Sequence, residues 1–107
     1  MSRRKPLVTE FKKIDFEEVR RAVSGYEEVL MMRLLPHAKR NGRDWVALNP
    51  TRPDRTLGSF RINAYSFRWI DHATGDKGGD IISLWAYLRQ ITQLQAAQEL
   101  LTIVGKD

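Results

Sequence analysis

The sequence of 107 residues contains no cysteine. This absence excludes disulfide bonds, thiolate metal sites and cysteine nucleophiles. Histidine is scarce as well, because only His37 and His72 are present and they lack the spacing of a metal-ligand pair. No paired carboxylates and no Ser-His-Asp arrangement stand out as a catalytic set. We therefore expect no enzymatic activity, no bound metal and no cofactor.

Long apolar runs are missing too. No stretch approaches the roughly 18 apolar residues that a membrane-spanning helix needs. Residues 1–6 are basic, but no apolar segment follows them, so the pattern does not match a secretory signal. A chain of 12.4 kDa has room for one hydrophobic core. We expect a single cytoplasmic domain over residues 15–107, preceded by a flexible basic arm over residues 1–14 and without contact to a membrane.

Acidic residues are the minority. The chain has 18 Lys and Arg side chains against 13 Asp and Glu, a net charge of +5. The excess is concentrated in residues 37–68, which hold seven basic side chains and two acidic ones. Most of these basic residues are arginines, whose planar guanidinium groups pair with phosphates and stack on bases. The segment favours an acidic partner, nucleic acid first, over the alternative of a solvated basic surface without a partner.

Helices are predicted at both ends of the chain. Asp15 and Glu18 have the spacing of a helix start, and residues 26–35 form a second helix that ends before a proline. Residues 81–88 show helical apolar spacing, and Thr92 begins a capping box for a fourth helix. The fourth helix is expected to bury five side chains: Leu94, Ala97, Leu100, Leu101 and Val104.

Strands are predicted between the two helix pairs. Asn41-Gly42 is a hairpin signal that would join a short strand near residues 38–40 to a strand over residues 43–48. Alternating apolar residues predict further strands over residues 58–63 and 66–71. Leaving aside the short strand near residues 38–40, the expected order is two helices, three strands and two helices. This is an α+β domain with a small three-stranded antiparallel sheet.

One face of this sheet carries the strongest binding candidates. Phe60, Phe67 and Trp69 are expected in the core, because an amphipathic strand must bury one face. Arg61 and Arg68 lie on the opposite face of neighbouring strands, with Tyr65 in the turn between them. Arginines that hold phosphates and rings that stack on bases are typical of single-stranded nucleic acid binding. The predicted nucleic-acid-binding residues are Lys39, Arg40, Arg43, Arg52, Arg55, Arg61, Tyr65, Arg68 and Lys77.

A glycine-rich segment, residues 74–80, precedes the third helix. Its backbone N–H groups could hold a phosphate, assisted by Lys77, although the spacing of a P-loop is absent. The structural alternative, which we favour, is that the glycines form a turn and Asp80 caps the helix. The same capping and turn roles also explain the nearby Asp71 and Asp76 better than a magnesium site does.

Several short motifs in this order resemble a known family. Asn49–Arg52 stands where that family has Cys-Pro-x-His, and Ser59-Phe60 matches its Ser-Phe strand. His72 and Gly75 fall where it has Cys-x-x-Cys, and Gly78–Asp80 matches its Gly-Gly-Asp directly. The chain thus resembles the zinc-binding domain of bacterial and phage DNA primases. It is most similar to the zinc-less version at the N-terminus of phage and plasmid primase-helicase replication proteins.

This resemblance implies a zinc-ribbon-like fold without zinc, since only His72 of the four ligand positions could bind a metal. Hydrogen bonds among Asn49, Arg52 and Asp71 would then replace the metal across the same corner. The resemblance also implies a non-catalytic module of a mobile-element replication system that contacts single-stranded template DNA. A primase, helicase or polymerase is the implied protein partner, and polymerisation would reside in another domain.

A protein-interaction module is the alternative. In that case the chain would dock on a polymerase, a helicase or a host defence complex. Its acidic and apolar C-terminal helices would form the interface.

Overall fold

The computed structural model describes residues 14–105, which form four helices and a five-stranded sheet. The helices are α1 (Phe16–Val23), α2 (Glu27–Leu34), α3 (Ile81–Arg89) and α4 (Gln93–Ile103), and the strands are β1 (Lys39–Asn41), β2 (Asp44–Ala47), β3 (Phe60–Asn63), β4 (Trp69–Asp71) and β5 (Lys77–Gly78). The predicted arm over residues 1–14 lies outside the described residues except for Ile14, which packs against the core.

The helix starts follow from their capping residues. The side chain of Asp15 accepts a hydrogen bond of 2.9 Å from the backbone N–H of Glu17 and so caps α1. Asp80 and Thr92 each form a capping box at the start of α3 and α4. These side chains satisfy N–H groups that the first turn of a helix leaves without partners. All four predicted helices are confirmed.

The sheet is an antiparallel meander in the order β1-β2-β3-β4-β5. The predicted three-stranded sheet is therefore wrong in its strand number, although the α+β class and the Asn41-Gly42 hairpin are confirmed. The short strand expected near residues 38–40 is present as β1, beside the three longer predicted strands. Strand β5 was not predicted, because its two residues inside a glycine-rich segment are too few to show the alternation that identifies a strand in a sequence.

The connection between β3 and β4 is a tight turn rather than the beginning of a strand. The Asn63 side chain accepts hydrogen bonds from the N–H groups of Tyr65 and Ser66. Phe67 adopts a left-handed backbone conformation with φ of 63° and donates its N–H to the Asn63 carbonyl. The strand predicted over residues 66–71 therefore begins only at Trp69.

The core lies between one face of the sheet and the helices. Phe60 and Ile62 of β3 are completely buried, as their alternation predicted. In α4 the buried residues are Ala96, Ala97 and Leu100, whereas Leu94 is 49% exposed. The prediction for Leu94 is wrong: this residue lies in the first turn of α4 and is exposed there, although Ala97 three residues later is buried.

Within the described residues, we find no helix with the length and apolar character needed to cross a membrane.

Candidate nucleic-acid interface

The sheet has a second face that points away from the helices, here called the outer face. Strand pairing aligns one residue from each strand in a row across this face: Lys39, Val46, Arg61, Ile70 and Lys77. Directly paired residues in neighbouring strands point to the same side of a sheet. The row therefore carries a cation on each edge strand and one on the central strand, separated by aliphatic side chains.

A shallow depression of about 360 Å³ lies over the β3–β5 half of this row. Arg61, Arg68, Lys77 and His72 contribute to its lining, together with the single carboxylate of Asp44. Cations thus outnumber acids in the depression. This charge balance suits an anion such as a phosphate.

Arg61 is fixed in the depression by protein contacts. Its Nε donates to the Gly58 carbonyl at 3.2 Å, and its Nη1 lies 3.3 Å from Oδ2 of Asp44. Arg68 and Lys77 are exposed, and neither forms a salt bridge within residues 14–105. Their charges are therefore more available to an external anion than that of Arg61.

A second group, here called the turn cluster, surrounds Tyr65 at one end of the sheet. The Tyr65 ring is 67% exposed. The guanidinium carbons of Arg40 and Arg43 lie 5.7 Å and 5.4 Å from its centroid. Arg40 also lies over the Trp45 ring at 5.4 Å and donates to the carbonyl of Gly42. An exposed ring held on a tight turn between two cations is suited to stacking on a base.

Asp71 is the centre of a buried polar group. Its carboxylate is 0% exposed and accepts from Nε of Arg52 at 2.8 Å and from Nη2 of Arg52 at 3.1 Å. Asn49 Nδ2 donates to the same carboxylate at 2.7 Å, and the Ala73 N–H donates at 2.9 Å. The Arg52 hydrogen bonds, aided by that of Asn49, lower the pKa of Asp71 to about 2 in spite of its burial.

This group extends to the third helix. Asn49 also donates to the Tyr87 hydroxyl at 2.9 Å, and Tyr87 in turn donates to Asp76 at 2.8 Å. We call Asn49, Arg52, Asp71 and Tyr87 the polar hub. It connects the loop after β2, strand β4 and helix α3. The predicted hydrogen bonding among Asn49, Arg52 and Asp71 is confirmed.

The glycine-rich segment has a structural role. Asp80 Oδ1 accepts from the Ser83 N–H at 2.9 Å, which confirms the predicted cap, and Oδ2 accepts from Arg20 at 2.9 Å. Gly78 lies against the indole of Trp69 and the Ser83 hydroxyl, and a Cβ atom at this position would overlap both. Only a residue without a side chain avoids this overlap.

The nine predicted binding residues occupy three places. Lys39, Arg61, Arg68 and Lys77 lie on or beside the outer face, Arg40, Arg43 and Tyr65 form the turn cluster, and Arg52 and Arg55 belong to the loop after β2. Arg55 is exposed, whereas the Arg52 guanidinium is bound by Asp71 and by Asp54 at 3.3 Å.

Two site residues were not predicted. His72 lies in the depression as a possible phosphate contact, and its position directly after β4 is a signal that could have identified it. Tyr87 joins the polar hub. Nothing in its helical spacing distinguishes it from an ordinary core residue.

Comparison with known proteins shows similarity to a solved structure but not to a protein family. No family model matches the chain, and no curated protein matches it. Among solved structures, it is similar to the crystal structure of the Aquifex aeolicus primase, which contains zinc-binding and RNA polymerase domains. The TM-score is 0.73 at 24% sequence identity, and the match covers 90% of this chain. The chain corresponds to 23% of the length of the Aquifex protein. The similarity establishes a shared fold.

The donor atoms of this chain do not suit zinc. Among residues 14–105, no three His, Cys, Asp or Glu side chains come together as a metal site. The polar hub instead contains an amide, a phenol and an arginine whose cationic group lies against the buried carboxylate of Asp71. A guanidinium cannot ligate a metal ion, and its charge opposes the binding of one.

Proposed function

We propose that this chain is a non-catalytic module of a DNA replication or primase system that binds single-stranded DNA. The observation that carries the proposal is the outer-face row with Lys39, Arg61 and Lys77, which continues to the exposed Arg68. Regularly spaced cations on one sheet face can follow a phosphate backbone across the strands.

The turn cluster favours single strands over duplex. A base can stack on the exposed Tyr65 ring only if the face of the base is free. Bases of an unpaired strand meet this condition. The guanidinium groups of Arg40 and Arg43 lie over this ring and could hold the adjacent phosphates. The cluster and the depression together provide one stacking position and several phosphate positions.

The shared fold supports a role in replication. The Aquifex protein combines a zinc-binding domain with an RNA polymerase domain. By analogy, we assign template contact to this chain and nucleotide polymerisation to a separate domain. The motif resemblance to phage and plasmid replication proteins further points to a mobile-element system.

The polar hub supports the zinc-less part of the proposal. Asn49 and Arg52 occupy positions where the resemblance has metal ligands, and both are bonded to Asp71. The hub would then connect loop, sheet and helix as a metal does in zinc-bearing relatives. Metal analysis of the purified protein tests this point. We expect no bound zinc, and stoichiometric zinc would contradict it.

Fluorescence anisotropy with a labelled 20-nucleotide single strand tests DNA binding. The wild-type chain should bind at low salt, and more weakly as the salt concentration increases. The double variant Arg68→Ala/Lys77→Ala should lose roughly tenfold or more in affinity, since it removes two phosphate contacts. Arg21→Ala/Arg33→Ala is the matched control. It removes two exposed cations from α1 and α2 and keeps the outer face intact.

Two outcomes oppose the proposal. If the wild-type chain does not bind at low salt, DNA binding itself is refuted. If both double variants lose the same affinity, the outer face is not the binding surface, because only net charge then matters.

A further inference from the structure

A second recessed surface lies away from the turn cluster, at the open end of the β1–β2 hairpin. It is a groove of about 320 Å³ between the end of α2, the start of β1 and the loop after β2. We call it the apolar groove. Leu34, Ala47, Leu48, Pro50 and Leu57 form much of its wall.

The groove exposes aliphatic side chains to solvent. Leu48 is 45% exposed and Leu57 is 46% exposed, and both line the same recess. Isolated exposed leucines are ordinary on protein surfaces, but a concave group of them marks a site for a partner. The C-terminal helices, where the sequence placed a protein interface, carry a recess with more polar residues in its lining, which includes Gln95, Gln98 and Glu99.

The charge around the groove indicates the chemistry of this partner. Lys39 contributes to the lining, and the exposed Arg55 is two residues from Leu57. No carboxylate lines the groove within residues 14–105. A second copy of this chain is disfavoured because each copy carries a net charge of +5. An acidic partner is complementary to this surface.

The shape of the surface favours a polypeptide over nucleic acid. The groove wall is aliphatic and has no aromatic ring apart from His37 on which a base could stack. Beside the groove, β1 is an edge strand, and no other strand of the described residues pairs with its free edge. Such an edge offers backbone groups to an extended peptide. Aliphatic side chains of that peptide could then enter the recess.

We propose that the apolar groove binds a short acidic segment of a partner protein, in extended form beside β1, anchored by one or two aliphatic side chains. This site lies at the end of the hairpin opposite the turn cluster, and it shares only Lys39 with the proposed DNA surface. The proposal does not depend on DNA binding.

Selection from a displayed library of random 12-residue peptides tests this proposal with the full chain as bait. The library is first passed over the Leu48→Ser/Leu57→Ser variant, which removes peptides that bind outside the apolar groove. We expect enrichment of acidic peptides with one or two Leu, Ile or Val residues. A synthetic copy of the best peptide should bind the double variant at least tenfold more weakly. It should also bind Lys39→Glu several-fold more weakly.

Val29→Ser is the matched control, since Val29 is 65% exposed on α2 and does not line the groove. Its affinity for the peptide should equal that of the wild type. Circular dichroism checks that every variant is folded. The proposal is overturned if no acidic consensus is enriched, or if the selected peptide binds the double variant as tightly as the wild type. It is also overturned if a 20-nucleotide single strand binds the Leu48→Ser/Leu57→Ser variant more weakly than the wild type, since the groove would then belong to the DNA surface.

Discussion

At the scale of single residues, Asp71 shows how this fold keeps a buried charge. Its carboxylate is inaccessible to solvent but bonded to a guanidinium, an amide and a backbone N–H. Burial alone would favour the neutral acid, and these partners reverse that preference. Asp71 therefore depends on Arg52, and Arg52 is first of all a structural residue.

Arg52→Ala should destabilise the protein by about 3 kcal/mol, because it leaves Asp71 buried without its main partner. Arg55→Ala, three positions away on the same loop, should change stability by less than about 0.5 kcal/mol since Arg55 is exposed. Urea denaturation followed by tryptophan fluorescence measures both. Equal stability of the two variants would contradict the structural role of Arg52.

Acid should weaken the fold through Asp71. The pKa of Asp71 is about 2 in the folded chain and 3.8 as its ordinary value. A lowered pKa stabilises the folded state above about pH 4, and this contribution is lost as the pH falls from about 4 to 2. The free energy of unfolding, measured by urea denaturation from pH 6 to 2, should decrease in that window. NMR titration of the Asp71 carboxyl group should give a midpoint near 2. A midpoint at 3.8 would refute this assignment.

Tyr65 allows stacking to be separated from charge. Tyr65→Leu removes the exposed aromatic ring and leaves every cation in place. It should weaken single-stranded DNA binding by about 1–3 kcal/mol. The slope of log K against log salt concentration should remain unchanged, whereas Arg68→Ala/Lys77→Ala should make it shallower by about 1.4. If Tyr65→Leu binds like the wild type, no base stacks on this ring.

Many roles of single residues could be predicted from the sequence. The capping roles of Asp15, Asp80 and Thr92 depend on neighbouring residues, so local spacing was enough to predict them. Hydrogen bonding among Asn49, Arg52 and Asp71 was predicted only through the motif resemblance. Tyr87 could not be predicted, because its partners lie far away in the chain.

At the scale of elements, strand β5 shows why the glycine-rich segment has its composition. Gly78 pairs with Trp69 of β4 and lies against the indole ring. The Trp69 Nε1 donates to Ser83 Oγ of α3 at 3.0 Å. The glycine therefore allows β4, β5 and the start of α3 to meet closely. This packing, rather than phosphate binding, accounts for the position of Gly78.

Gly78→Ala should destabilise the protein by about 1–3 kcal/mol, because the added methyl group overlaps the Trp69 ring. Gly79→Ala is the control, since a Cβ atom at that position meets nothing within 4 Å and the backbone φ needs no glycine. Thermal unfolding followed by near-ultraviolet circular dichroism measures both variants. A tolerated alanine at position 78 would show that β5 can move away from Trp69.

The helices could be predicted better than the sheet, for a physical reason. A helix carries its hydrogen bonds and apolar period within one segment, so its sequence identifies it. Strand β1 was predicted from its hairpin with β2, whereas β5 forms through pairing with β4 and its own two residues show no period. The three-strand count left out the short β1 and missed β5. Phe67 also interrupted an apparent strand, since its left-handed backbone depends on the turn around Asn63.

At the scale of the whole molecule, the basic residues that give the net charge of +5 have different roles in the structure. Some arginines hold the fold together, as Arg52 does with Asp71 and Arg20 does with Asp80. Others, such as Arg68 and Arg43, are exposed around the outer face and the turn cluster. Counting charges along the sequence predicted the basic region between residues 37 and 68. Lys77 lies outside this region, and only the strand register showed that it completes the row on the outer face.

The central claim is that the outer sheet face and the turn cluster bind single-stranded DNA. Chemical-shift mapping tests it most directly, with the ¹⁵N-labelled wild-type chain and an unlabelled 20-nucleotide strand at low salt. We predict that the shifted backbone amides lie in β3, β4 and β5 and in the turn at residues 64–68, while those of α4 stay unchanged. Shifts confined to the helices, or no shifts at a saturating DNA concentration, would contradict the account.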